Sequence, residues 1–200
     1  MQNFKSKTLW QEIERRAKKC SYKVAAVAYC TSDDVVSFGA GDLLVTDASD
    51  AAIRSRQTDR RLLRRAYRKG AELYSCPGLH AKVLIFDDGV IIGSANLSQS
   101  SRKDLIEAGL VTNNPTTVAE ARAFVEQLAG QSDEIDEAFL KRIDKLKLKP
   151  FRPFSKRRTG IKIQDQSPGQ LWIAGLHESD EDPQDSEQIA HWKKTSTRIW

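Results

Sequence analysis

A chain of 200 residues with 40% hydrophobic content can bury one good core and a small appended unit. No run approaches the roughly 18 apolar residues of a membrane span, Met1-Gln2-Asn3-Phe4-Lys5 opens no apolar signal segment, and Cys20, Cys30 and Cys76 lack short metal-ligand spacing. A soluble, cytoplasmic protein with reduced thiols is expected, and its formal charge of +5 leaves any polyanion-binding surface to local clustering.

In chain order, Thr8-Leu9-Trp10-Gln11 has capping-box spacing and predicts a helix to about Lys19. The apolar run at residues 24–30 reads as an inner strand, and residues 43–46 as another. Asp47, Ser49 and Asp50 are helix-starting residues, ahead of a largely helical stretch from Ala51 to about Lys69. Residues 72–75 form a brief strand before an apolar, β-branched run at 79–86. Asp87-Asp88-Gly89 then reads as a hairpin turn and Val90-Ile91-Ile92 as the returning strand. After residues 105–111, Pro115 suits the first turn of a helix whose apolar positions Val118, Ala121, Phe124, Val125 and Leu128 have helical spacing. This alternation predicts an α/β fold, a mixed β-sheet flanked by helices on both faces, over residues 1–128.

Within that frame, His80 and Lys82 are two residues apart in one strand and share a face; Ser94 and Asn96 do so by the same spacing. Imidazole, ammonium, hydroxyl and amide therefore converge where two paired strands end. The set suits a phosphodiester. Imidazole can attack phosphorus or relay a proton near neutral pH. Lys82 and Asn96 can donate to the non-bridging oxygens, replacing a metal ion in stabilising the charge that grows there. A lone His-x-Lys arises often by chance, but six positions in order inside a strand–turn–strand pattern are far more specific.

At these residues the chain resembles the phospholipase D superfamily, whose motif runs His-x-Lys, Asp, Gly-Ser-x-Asn. His80, Lys82, Asp87, Gly93, Ser94 and Asn96 fall in that order, with five residues between Asp87 and Gly93 where the family has about six. Asp104-Leu105-Ile106-Glu107-Ala108-Gly109-Leu110-Val111 resembles the next core strand of the family, whose acid supports the histidine; Glu107 matches it. The resemblance implies a metal-independent phosphodiesterase without cofactor that passes through a phosphohistidine. His80 would be the nucleophile in one subunit and the general acid in the other, Lys82, Ser94 and Asn96 would bind phosphate, and Glu107 and Asp87 would orient His80. Members carry two motifs around one site, and this chain has one. His191-Trp192-Lys193 has no Asp or Gly-Ser-x-Asn after it, and His177 lacks the lysine. Single-motif members resolve the shortage as symmetric dimers, so a homodimer is implied.

Charge clustering points the substrate toward nucleic acid. Arg54, Arg56, Arg60, Arg61, Arg64, Arg65, Arg68 and Lys69 crowd the helical stretch before the motif, with Arg61, Arg64, Arg65 and Arg68 the expected nucleic-acid contacts. Residues 141–158 hold nine Lys or Arg against the single acid Asp144. A solvated helix face is the ordinary reading of one such run; a phosphodiester motif and no membrane-binding segment tilt it toward a polyanion. Two other readings stand beside the nuclease: a catalytically weak nucleic-acid-binding module of a defence or restriction system, and a phospholipid or small-diester hydrolase. Trp10, Tyr67, Tyr74 and Phe151 fit packing better than base stacking. Residues 129–200 read as a C-terminal extension: an amphipathic helix at 133–146, the basic run broken by Pro150 and Pro153, short strands at 161–163 and 171–173, and an acidic stretch at 178–187.

Overall fold

The computed structural model describes residues 2–87 and 89–150, all in one compact unit. The strands expected at 161–163 and 171–173, His177, His191, Phe151, the acidic stretch and the end of the basic run lie outside the described residues. Within them are β1 (Gln2–Lys5), α1 (Leu9–Ala17), β2 (Lys23–Val27), β3 (Leu43–Thr46), α2 (Asp50–Arg54), α3 (Arg60–Arg68) and β4 (Glu72–Ser75). These are followed by β5 (Lys82–Phe86), β6 (Gly89–Gly93), α4 (Gln99–Lys103), β7 (Gly109–Thr112), α5 (Pro115–Gly130), β8 (Asp133–Glu134) and α6 (Glu137–Asp144).

One mixed sheet runs in the order β1-β7-β6-β5-β2-β3-β4-β8. The pairs β2–β3 and β3–β4 are parallel and every other pair is antiparallel. The carboxyl ends of β2, β3, β4 and β6 therefore share one edge with the starts of β5 and β7.

Strand alternation sorts the core into two layers. Ala25, Val27, Leu44, Leu73, Leu84, Phe86 and Ile91 pack with Leu9, Ile13, Ile53, Leu62, Leu63, Leu140 and Ile143 from α1, α2, α3 and α6. On the other face Val24, Ala26, Val45, Val83, Ile85 and Val90 meet Val118, Ala121, Val125 and Ala129 of α5. The expected α/β sheet with helices on both faces is what the chain forms. Asn114 caps α5 by accepting from the Thr117 amide, with Pro115 in the first turn as the sequence predicts.

Several boundaries differ from the sequence reading. Residues 51–69 form two helices, not one. At the end of α2, Arg56 N–H bonds Ile53 O and Gln57 N–H bonds Ala52 O, a Schellman closure with Arg56 at φ 62° where glycine is usual. Asp59 then caps α3 by accepting from the Arg61 amide, and the buried Thr58 hydroxyl donates to Asp47 O. The strand expected from residue 79 starts at Lys82, because Leu79 N–H bonds Cys76 O around Pro77 and Gly78, the latter at φ 79°. The strand expected at 105–111 starts at Gly109. Edge strand β1 carries no alternating pattern and is held by pairing with β7.

The helix expected at 133–146 is the short strand β8 followed by α6, whose N-cap Asp136 accepts from Phe139 N–H. β8 extends the sheet beside β4, and Ile135, Leu140 and Ile143 are at most 1% exposed in the layer with α3. The first unit thus continues past the boundary expected at residue 128. Ile143→Ala is expected to cost about 2–5 kcal/mol in chemical denaturation; an unchanged midpoint would show that α6 adds nothing to the core.

Candidate active site

The sheet edge that gathers the ends of β2, β3, β4 and β6 carries most of the motif. His80 is exposed in the short lead between the Pro77–Gly78 turn and β5. That lead is pinned on both sides. Asp47, just past β3, accepts from Gly78 N–H at 3.2 Å and from Ser49 N–H at 2.9 Å, and Ala28 N–H donates to Ala81 O at 2.9 Å. Lys82 follows, with its Nζ donating to His80 O at 2.8 Å, so the ammonium fixes the backbone that bears the imidazole. Burial holds the Lys82 pKa below the ordinary lysine value, and the charge of Glu107 acts against that shift. Lys82 makes no ion pair among the described residues.

The second half of the motif leaves β6 at the same edge. The hairpin register pairs Val83 with Ile92, so Lys82 comes beside Gly93. A β-carbon on Gly93 would lie 2.4 Å from Ala108 O and 2.8 Å from Gly109 Cα, which explains why the motif has glycine there. Ser94 N–H donates to Ala108 O at 2.9 Å, its hydroxyl donates to Glu107 Oε2, and Ala108 N–H donates back to Ser94 Oγ at 3.1 Å. Ser101 Oγ donates to the other Glu107 oxygen at 2.7 Å, and Trp10 Nε1 donates to Ser101 O at 3.0 Å. Glu107 is 8% exposed. Asn96 has a buried Oδ1 without a hydrogen-bond partner among the described residues. Leu97 beside it pairs with Cys30: its N–H donates to Tyr29 O, and Thr31 and Ser32 N–H donate to its carbonyl.

Three expectations change. Ser94 spends its one hydroxyl proton on Glu107, so it supports the loop instead of offering that proton to phosphate. Both Glu107 oxygens are taken by Ser94 and Ser101, so in this chain its bonds go to serines and not to His80. Asp87 stands at the other end of β5, at φ 49° in the hairpin turn, and its carboxylate accepts from Ser21 N–H at 2.9 Å and Tyr22 N–H at 3.2 Å. The length of the strand separates it from His80, so it cannot orient the ring.

The arginine row of α3 is also divided. Arg64 pairs with Glu137 and Asp144 of α6, and Arg65 makes a two-nitrogen contact with Asp33 at 2.7 and 2.8 Å. Arg61 and Arg68 have no such partner among the described residues. The sequence presents Asp47 only as a helix-starting residue; the fold gives it a second task, anchoring the His80 lead beyond the Pro77-Gly78 turn. Cys30 is fully buried, and burial pushes its thiol up to about 12, so it is an inert core group. Trp10 and Tyr67 pack against one core layer and Tyr74 against the other.

This fold and this grouping define a phospholipase D-like domain. The family model "Cardiolipin synthase, PLD-like domain" matches residues 4–129, and the chain belongs to this superfamily of phosphodiesterases. Among solved structures it is similar to NucT from Helicobacter pylori, at 16% identity and TM-score 0.53, covering 67% of this chain and 98% of that one. It is also similar to Nuc from Salmonella typhimurium, a phospholipase D family member, at 14% identity and TM-score 0.50, covering 67% and 97%. A third, phosphatidylserine synthase from Haemophilus influenzae Rd KW20, matches at 12% identity and TM-score 0.52 over 72% of this chain and 41% of that one. Comparison with curated proteins finds no match. At these identities the structures establish the fold alone.

Gly93→Ala is expected to lower stability by about 1–3 kcal/mol through overpacking against Ala108 and Gly109. A thermal melt equal to that of the unaltered protein would show that the β6–β7 ends are not in the close contact described.

Proposed function

We propose that the protein is a metal-independent nuclease, hydrolysing DNA or RNA through a phosphohistidine in a site shared by two copies. The observation that carries the chemistry is an exposed imidazole whose backbone is held by an ammonium that is partly buried and not ion-paired among the described residues. Such a cation gains most from a dianionic or anionic partner, and a phosphodiester oxygen is the partner that also places phosphorus beside the ring. The His80 ring nitrogen attacks phosphorus and the P–O bond to the leaving group breaks. The imidazolium of the second copy's His80 gives its proton to the departing oxygen. Water then attacks the phosphohistidine as that same second ring takes its proton, which restores both histidines. Lys82 and Asn96 donate to the non-bridging oxygens.

Two observations support the shared site. Among the described residues one chain supplies a single histidine at the edge, which covers nucleophile or acid but not both. Beside it lies a partly exposed apolar ladder: Ile92 is opposite Leu110, Leu110 is opposite Phe4, and all three share the sheet face on which α5 covers β2, β3, β5 and β6. Phe4 is 74% exposed and Ile92 39%. Ile92 directly precedes Gly93, so a second copy seated on this ladder meets the edge that bears the site. Leu105 and Ile106, also exposed, directly precede Glu107.

A polynucleotide is favoured over a lipid by charge. Arg56, Arg60 and Arg61 line one pocket at this edge, and no helix among the described residues is long and apolar enough to cross a membrane.

Hydrolysis of labelled single- and double-stranded polynucleotide should persist in excess EDTA and fall by at least about 10³-fold in His80→Ala. Activity that needs added divalent metal would defeat the mechanism, and turnover of a phosphatidyl ester with none on polynucleotide would replace the substrate. Light scattering at micromolar concentration should give the mass of a dimer, and Phe4→Asp should shift it toward monomer with parallel loss of activity. A monomer that retains full activity would remove the second copy from the reaction.

A further inference from the structure

The pocket at the start of α3 has a volume of about 240 Å³, and its walls include Thr31, Arg56, Asp59, Arg60 and Arg61. We propose that it binds an internucleotide phosphate of the same strand whose scissile phosphate lies at His80. This rests on the nuclease reading and deepens it, by assigning where the substrate continues beyond the reacting bond.

Three features carry the inference. First, the pocket adjoins the catalytic loop through an unbroken backbone ladder. Leu97, next to Asn96, pairs with Cys30, and Asp59 N–H donates to Cys30 O at 2.8 Å. Two such steps span roughly 10 Å, within reach of one or two nucleotides. By alternation Lys82 also lies on the sheet face of Leu84 and Phe86, which pack in the layer with Ile53, Leu62 and Leu63 of α2 and α3. The pocket and the ammonium therefore open on the same side of the sheet.

Second, positive charge survives here while the next two arginines of the stripe are paired with acids. Arg64 and Arg65 are neutralised by carboxylates. Arg60 bonds the carbonyls of Ile143, Asp144 and Leu146 and lies 3.9 Å from Asp144, so it serves as wall. Arg56 gives only its Nε, to the Lys149 carbonyl, a neutral acceptor. Arg61 has no side-chain partner among the described residues. The one acid in the wall, Asp59, is engaged in capping α3 through the Arg61 amide. Two guanidiniums thus keep donors for an anion.

Third, Arg56 occupies a glycine position. A Schellman closure asks for φ > 0, and an arginine side chain there sits on a backbone that L residues rarely adopt. The Lys149 bond does not require a guanidinium in particular, whereas phosphate recognition does use its fork of donors.

The test is binding of a labelled single-stranded oligonucleotide to the full chain carrying His80→Ala, with Kd measured across a salt series. Adding Arg61→Ala should weaken binding about fivefold and reduce the slope of log K against log salt by about 0.7, the loss of one phosphate contact. Adding Arg61→Lys should retain the slope, and Lys18→Ala, at the far end of α1, should change neither value. Melting curves for each variant separate lost contact from lost fold. If the protein binds or cleaves polynucleotide but Arg61→Ala leaves Kd and slope unchanged, the pocket proposal falls and the nuclease reading stands. If no polynucleotide binds even at low salt, both fall together.

Discussion

The register of one hairpin brings the two halves of the motif together. Phe86 pairs with Gly89, so β5 and β6 run with Val83 opposite Ile92 and Lys82 beside Gly93. One more residue in the turn would slide every later pair and carry Ser94 and Asn96 to another level of the sheet. The five-residue interval from Asp87 to Gly93, short by the family measure, is the interval this tight turn requires. Asp87 takes the positive φ that such a turn needs at its first position, and its carboxylate is fixed by the Ser21 and Tyr22 amides. An acid in the motif thus acts on the site from the far end of a strand, by setting register.

From that register follows a chain of supports around one buried acid. Glu107 precedes β7, whose first residue packs against Gly93, and its two oxygens hold Ser94 on one side and Ser101 on the other. Ser101 is tied in turn to Trp10 of α1. A carboxylate so placed fixes the loop carrying Asn96 and lends negative potential to Lys82 without neutralising it in a salt bridge. Had Glu107 paired directly with Lys82, the ammonium would have been screened from any phosphate. The Glu107 oxygens accept instead from Ser94 and Ser101, and Lys82 forms no ion pair among the described residues.

What the sequence made legible and what it hid follow from the range of each interaction. The strand pattern of β3, β4, β5 and β6 and the start of α5 are legible because short apolar runs, Pro115 and turn residues act within a few positions. The contiguous motif was readable for the same reason. The partners of Ser94, Glu107 and Asp87 were not, since each is chosen by a neighbour brought in by pairing: Ala108, Ser101, Ser21. The break between α2 and α3 falls in residues 54–61, an all-polar stretch with no apolar periodicity to mark where one helix stops, and its capping residues Thr58 and Asp59 stand among arginines. β8 is two residues long and exists only because β4 offers an edge.

The arginines show why local charge has to be read from its partners. The sequence presents Arg61, Arg64, Arg65 and Arg68 as one basic stripe, yet helical geometry and the acids of other segments divide it. Arg64 faces α6, where Glu137 and Asp144 wait, and its charge joins two helices. Arg65 is matched by Asp33 in the loop after β2. Arg61, near the helix start, faces the cavity at the sheet edge, and Arg68 sits a helix length away at the opposite end. A polyanion strand laid along the stripe would meet two cations already satisfied, whereas one leaving His80 toward Arg61 meets charge still open. A basic helix that looks like a continuous track in the sequence is therefore divided in the fold: Arg64 and Arg65 are paired with acids, and Arg61 and Arg68, toward its two ends, have no acid partner among the described residues.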